Sequence, residues 1–119
     1  MPSTITKSRV AIVAGARTPF VRIGTTLRSA SAIDLGVGPV NALVEKFNLS
    51  NDPNGLLTFG SVIQHADVSN IAREIALESK LHPQTRAFSS IKACATSLAT
   101  VADAALWINR GSVPWAIAG

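Results

Sequence analysis

Several residue types are scarce in this chain of 119 residues, and each scarcity excludes a class of protein. The only cysteine, Cys94, excludes an internal disulfide and a cysteine-rich zinc site, and a lone thiol is typical of a reducing compartment. No apolar run reaches membrane-spanning length, and the first residues include no long apolar segment of the signal-peptide type. We therefore expect a soluble, cytoplasmic protein with no membrane span and no metal site.

Charged residues make up only 15% of the chain, and tyrosine is absent. The eleven lysines and arginines exceed the seven acids, but they are scattered and not interleaved with aromatic residues, so nucleic-acid binding has little support. A net charge of +4 is equally compatible with an anionic small molecule. A free-standing domain usually has about 25% charged residues, so part of this surface is expected to be covered by more chain or by a subunit. The alternative is a small domain that is simply apolar.

The apolar pattern predicts alternating strands and helices. Residues 9–15 read as a strand buried on both faces, and Ser31 with Asp34 resembles a capping box for a helix that reaches Phe47. Further strands are predicted over residues 56–64, 85–91 and 113–119, and further helices over residues 71–80 and 94–110.

The resulting order, βαβαβαβ, predicts a layered α/β fold with a mainly parallel sheet. Pro39 weakens the first predicted helix, because an interior proline removes a hydrogen bond. The last predicted strand has no element after it, and we interpret the chain as truncated.

Cys94 is the main candidate for chemistry, because it lies where a predicted strand meets a predicted helix. The unpaired N–H groups and the dipole at a helix N-terminus favour an anion, which biases a thiol toward the reactive thiolate. Useful thiolate at neutral pH would need a further base, normally a histidine. The alternative is a small buried hydrophobic residue, which is the commoner role of a lone cysteine.

The chain contains two histidines that could serve as such a base. His65 follows a predicted strand, which places it at the carboxyl edge of a parallel sheet, where ligands bind. His82 precedes Pro83 after a helix, which places it on the opposite rim. Neither forms a convincing Cys–His pair by sequence, and a solvated loop histidine is the alternative for both.

Three segments together resemble the beginning of a thiolase. Residues 10–20, VAIVAGARTPF, resemble the opening strand and Arg-Thr-Pro turn of that family. Residues 60–64, GSVIQ, followed by NIARE at 70–74, resemble its second strand and helix, and CATS at 94–97 resembles the start of its nucleophile helix. Many thiolases have Cys-x-Ser-Gly there, and the CATS variant is most similar to the degradative 3-ketoacyl-CoA thiolases of the multienzyme type.

The resemblance implies a mechanism and its participants. Cys94 would attack the 3-keto carbonyl of a 3-ketoacyl-CoA, acetyl-CoA would leave, and a second CoA would take the acyl group from Cys94. The backbone N–H of Cys94 would belong to an oxyanion hole. The reverse reaction would condense two acyl-CoA molecules. Fatty-acid β-oxidation is the implied process, with CoA as co-substrate, no other cofactor and no identified CoA-binding residues.

The resemblance also implies that residues 1–119 are only part of an N-terminal thiolase domain. The activating histidine, the second cysteine, the final strand of this half-domain and the paired second domain have no counterpart here, so the chain alone is expected to be inactive. A homo-oligomer, with a β-oxidation multienzyme as possible partner, is expected for the full-length protein. Two alternatives remain: a ketosynthase-like condensing enzyme, since those synthases have a similar cysteine segment, and a non-catalytic thiolase-like binding module.

Overall fold

The computed structural model describes residues 9–119. This part of the chain contains three helices, three strands and one 3₁₀ turn. In chain order they are α1 (Ala32–Phe47), β1 (Leu56–Phe59), α2 (Ile71–Glu78), β2 (Arg86–Ser89), the 3₁₀ turn (Ala93–Ala95), α3 (Thr96–Asn109) and β3 (Ala116–Ala118). None of these helices has the length and apolar character needed to span a membrane.

The three strands form one parallel sheet in the order β2-β1-β3. Leu56, at the start of the central strand, lies opposite Arg86 on one side and Ala116 on the other. All three strands therefore end at the same edge of the sheet. The mainly parallel α/β architecture predicted from the sequence is confirmed, with an open rather than closed sheet.

Side chains alternate between the two faces of β1, and each face has its own helical layer. Leu57 packs with Val40 of α1 and Ile75 of α2, and all three are fully or almost fully buried. Thr58 points to the other face, where its hydroxyl donates to the Thr100 carbonyl of α3 at 2.9 Å. The buried cluster around these residues places the core mainly between the sheet and the α1–α2 layer. Burying one such aliphatic side chain contributes about 1.5–3 kcal/mol.

The predicted capping box of the first helix is confirmed, and the second helix also begins with a side-chain cap. Ser31 accepts from the Asp34 N–H, and the Asp34 carboxylate accepts from the Ser31 N–H, which completes the capping box of α1. Asn70 caps α2 by accepting from the Arg73 N–H at 3.1 Å. Pro39 lies inside α1 without ending the helix.

The prediction of a strand over residues 9–15 is wrong. This segment takes no regular secondary structure, and Ile12 and Val13 are 83% and 75% exposed. A strand needs a neighbour for its backbone N–H and C=O groups, and no strand of residues 9–119 pairs with this segment. A cavity of about 580 Å³ instead lies between residues 10–16 and the residues of β3. Its lining is mostly apolar and includes side chains of α1 and α3.

The remaining strands are shorter than predicted. The strand predicted over residues 56–64 ends at Phe59, and Val62 and Ile63 are largely exposed in the loop that follows. Ser61 donates its hydroxyl to the Ile63 carbonyl at 2.8 Å, a local turn that replaces ladder pairing. The strands predicted over 85–91 and 113–119 likewise shorten to β2 and β3.

Candidate active site at Cys94

Cys94 lies in the 3₁₀ turn between β2 and α3, at the carboxyl edge of the parallel sheet. The predicted placement at a strand-to-helix junction is therefore correct. The α-helix itself begins at Thr96, so Cys94 precedes the first helical turn rather than opening it. Ligands of open α/β sheets bind outside the carboxyl ends of the strands, which makes this edge the expected location of a site.

The thiol is accessible, because Cys94 and its neighbours Ala93 and Ala95 are all exposed. The N–H of Cys94 takes part in no hydrogen bond within residues 9–119. It therefore remains available as a donor to a bound oxygen atom. An exposed thiol beside a free backbone N–H is the arrangement that an acyl-transfer nucleophile with its own oxyanion donor requires.

A strained residue comes directly before the nucleophile candidate. Ala93 has φ of 47°, in the left-handed region that residues with a side chain rarely adopt. For a residue other than glycine this conformation costs about 1–2 kcal/mol. The surrounding contacts must therefore hold the turn in place, and such strain is concentrated at functional sites.

The Thr96 side chain makes two of those contacts. Its hydroxyl accepts from the Lys92 N–H at 2.9 Å and donates to the Ala93 carbonyl at 2.7 Å. Through the Thr96 hydroxyl, the two bonds link the Lys92 N–H to the carbonyl of the left-handed residue, Ala93. Thr96 is only 4% exposed, so water competes little for either bond.

The turn is also held by its neighbours. The Ser90 hydroxyl donates to the Asp103 carboxylate of α3 at 2.6 Å, and the Ser90 N–H donates to the Phe59 carbonyl at 3.3 Å. Gly60 passes so close that a Cβ there would come within 3.0 Å of the Ser90 carbonyl oxygen and of the Thr96 methyl group. The segment from Ser90 to Thr96 is thus packed against both the central strand and α3.

The two histidines lie at opposite edges of the sheet, as predicted. His65 follows β1 and, with Ile91 of the segment before Cys94, lines a small cavity of about 20 Å³. His82 lies before β2, at the edge of the sheet where the parallel strands begin. His82 is therefore remote from the Cys94 edge. Among residues 9–119 no hydrogen bond joins either histidine to Cys94, and no cluster of His, Cys, Asp and Glu could hold a metal ion.

Sequence reasoning missed Ala93, Thr96 and Gly60. An alanine in a left-handed turn has no local sequence signal, because alanine is typical of helices. The helix predicted over residues 94–110 makes Thr96 an interior helical residue, whereas Thr96 is the first residue of α3 and its hydroxyl bonds back to the preceding turn. A glycine at the end of an apolar strand does signal a close backbone approach, and it could have been recognised.

Comparison with known protein families identifies the chain. A family model described as "Thiolase, N-terminal domain" matches residues 10–119. The chain belongs to the thiolase family. The family resemblance expected from the sequence is therefore confirmed, and the chain covers the N-terminal part of a thiolase.

Curated thiolases are similar over nearly the whole chain. A 3-ketoacyl-CoA thiolase from Colwellia psychrerythraea is 41% identical over 117 residues, which are 98% of this chain and 27% of that protein. A 3-ketoacyl-CoA thiolase from Yersinia enterocolitica is 42% identical over 111 residues, which are 93% of this chain and 26% of that protein. The chain thus spans about a quarter of the length of these relatives.

Solved thiolase structures share the fold. The Acat5 thiolase from Ascaris suum, in complex with coenzyme A, is 25% identical with a TM-score of 0.73 over 83% of this chain and 26% of its own. The acetyl-CoA acetyltransferase of Bacillus anthracis is 20% identical with a TM-score of 0.72 over 84% of this chain and 25% of its own. These likenesses confirm a thiolase-like α/β half-domain.

Proposed function

We propose that the full-length protein containing this chain is a 3-ketoacyl-CoA thiolase with Cys94 as its acyl carrier. The observation that carries the proposal is the exposed thiol on a strained turn at the carboxyl edge of the sheet, in a chain of the thiolase family. The names of the relatives from Colwellia and Yersinia support 3-ketoacyl-CoA as the substrate class.

The proposed reaction has two steps at one sulfur atom. The Cys94 thiolate attacks the 3-keto carbon of the substrate, and the bond between C2 and C3 breaks. The electron pair passes to C2, which takes a proton and leaves as acetyl-CoA, while the shortened acyl group remains on Sγ. The thiolate of a second CoA then attacks the acyl carbon, which restores the Cys94 thiolate and releases the shortened acyl-CoA.

The turn contributes to this chemistry in two ways. The free Cys94 N–H can stabilise the oxyanion that forms when sulfur adds to the carbonyl. Removing one such donor in an enzyme costs about 10²–10³ in kcat, so correct placement of the turn is worth several kcal/mol. The acid and base that move the protons are proposed, from the family resemblance, to come from the rest of the full-length protein. In residues 9–119 no hydrogen bond joins His65 or His82 to Cys94. No other cofactor is proposed.

The wider context is proposed from the same resemblance. Degradative cleavage in fatty-acid β-oxidation fits the name 3-ketoacyl-CoA thiolase that the relatives carry. A cytoplasmic location and a homo-oligomer associated with a β-oxidation multienzyme are proposed from the family resemblance alone. The exposed apolar side chains of the described residues, Phe20 and Ile23 among them, fit a surface that further chain or a subunit covers. The family match favours this function over a ketosynthase-like condensing enzyme.

The test compares the full-length protein with its Cys94→Ser variant in a thiolysis assay with a 3-ketoacyl-CoA and CoA. Cys94 is exposed, so the substitution is expected to change the free energy of unfolding by no more than about 0.5 kcal/mol. We expect the wild type to release acetyl-CoA and the variant to lose this activity while it keeps its melting temperature. Undiminished thiolysis by the folded variant would refute the assignment. Activity with carrier-protein thioesters but not with CoA thioesters would instead favour the condensing enzyme.

A further inference from the structure

We propose that Thr96 is a positioning residue for Cys94, which it holds in place through the left-handed turn at Ala93. The inference rests on the proposed function, in which Cys94 carries the acyl group. Thr96 itself is buried, and its hydroxyl is occupied by two bonds to the turn, so it acts on the reaction only through the position of the cysteine.

The turn that precedes Cys94 is intrinsically unstable. Ala93 does not favour φ of 47°, so without support its backbone would relax toward the right-handed or extended region. Such a rotation moves every atom that follows in the chain, beginning with Cys94. The nucleophile and its N–H donor would then be displaced together.

The Thr96 hydroxyl opposes that relaxation from both sides. It accepts from Lys92, which precedes Ala93, and donates to the Ala93 carbonyl, which leads into Cys94. The Thr96 methyl group lies next to Gly60, the residue that follows β1. The hydroxyl, rather than this methyl group, makes the bonds that hold the turn.

Thr100 provides a matched control one turn further along α3. It is fully buried, and its single hydroxyl proton is shared between the Ser97 carbonyl at 2.7 Å and the Gly119 carbonyl at 3.1 Å. Neither bond reaches the segment from Lys92 to Cys94. Loss of the Thr100 hydroxyl should therefore affect stability without displacing the nucleophile.

The experiment compares Thr96→Val, Thr96→Ser and Thr100→Val in the full-length protein. The readouts are kcat and KM for thiolysis, the rate of Cys94 alkylation by iodoacetamide, and the melting temperature. Thr96→Val should lower kcat by about tenfold or more and leave KM within about twofold, because positioning acts on the reacting centre rather than on binding. It should also change the alkylation rate. Thr96→Ser keeps the hydroxyl and should restore the wild-type kcat and alkylation rate. Thr100→Val should leave kcat and the alkylation rate near those of the wild type.

Two results would overturn the inference. One is that Thr96→Val has the same kcat and alkylation rate as Thr100→Val. The other is that Thr96→Ser is as impaired as Thr96→Val. If Thr96→Val does not fold, Thr96→Ala is compared with Thr96→Ser, because both lack the methyl group beside Gly60 and only serine keeps the hydroxyl. The Cys94→Ser variant separates this test from the proposed function. Thiolysis retained by Cys94→Ser refutes the function, whereas thiolysis lost there but retained by Thr96→Val refutes only the positioning role.

Discussion

Replacing Gly60 by alanine should damage both stability and the candidate site. The new Cβ would lie within 3.0 Å of the Ser90 carbonyl oxygen and of the Thr96 methyl group, closer than real Cβ contacts come. The Ser90 carbonyl belongs to the backbone, and Gly60 itself donates its N–H to the Gly119 carbonyl at 3.0 Å, so neither side can yield by a simple side-chain rotation. Overpacking of this kind costs about 1–3 kcal/mol, and we expect a value of about 2–3 kcal/mol because two groups must move.

The assay is thermal or urea denaturation of the full-length protein, together with the rate of Cys94 alkylation by iodoacetamide. Gly38→Ala is the matched control: Gly38 lies inside α1, and a Cβ there would have no neighbour within 4 Å. That variant should stay within about 0.5 kcal/mol of the wild type, because the helical preference of alanine over glycine is opposed by the steric restriction that Pro39 places on the residue before it. A Gly60→Ala variant with wild-type stability and a wild-type alkylation rate would show that Gly60 is not packed tightly against Ser90 and Thr96.

Two further predictions concern acid stability and the strained turn. The Ser31 N–H lowers the pKa of Asp34 and the Asn54 N–H lowers the pKa of Asp52, so both carboxylates stabilise the fold above about pH 4 and lose that contribution as the pH falls. Asp34→Asn and Asp52→Asn should each flatten the decline in stability below pH 4 in denaturation curves, and a decline as steep as in the wild type would contradict this. Ala93→Gly should raise stability by about 0.5–1 kcal/mol, since glycine adopts positive φ without strain. A loss of stability in the same assay would show that the left-handed conformation of Ala93 is not strained.

Local signals predicted the helices and the site edge well. The pairing of Ser31 with Asp34 and the Asn70 cap are set by residues a few positions apart, so their hydrogen bonds can be read from the sequence. The position of Cys94 at the carboxyl edge follows from one strand-to-helix junction in a parallel sheet. These features need no knowledge of distant contacts.

Features that depend on distant partners were not predictable. The apolar run at residues 9–15 signals burial but does not say which strand would pair with it, and residues 9–119 supply none. The left-handed Ala93 is held by Thr96 and by the approach of Gly60, 33 positions earlier in the chain. Such strain comes from tertiary packing, which overrides the helical preference of alanine.

Mass spectrometry of the acylated protein tests the central claim most directly. The full-length protein is mixed with a 3-ketoacyl-CoA in the absence of free CoA, quenched in acid and digested, and the peptide that contains Cys94 is examined for the mass of the shortened acyl group. We expect that adduct on Cys94, and we expect it to disappear when CoA is added before the quench. An acyl group on another residue, or turnover with no adduct and no effect of Cys94→Ser, would contradict the central claim.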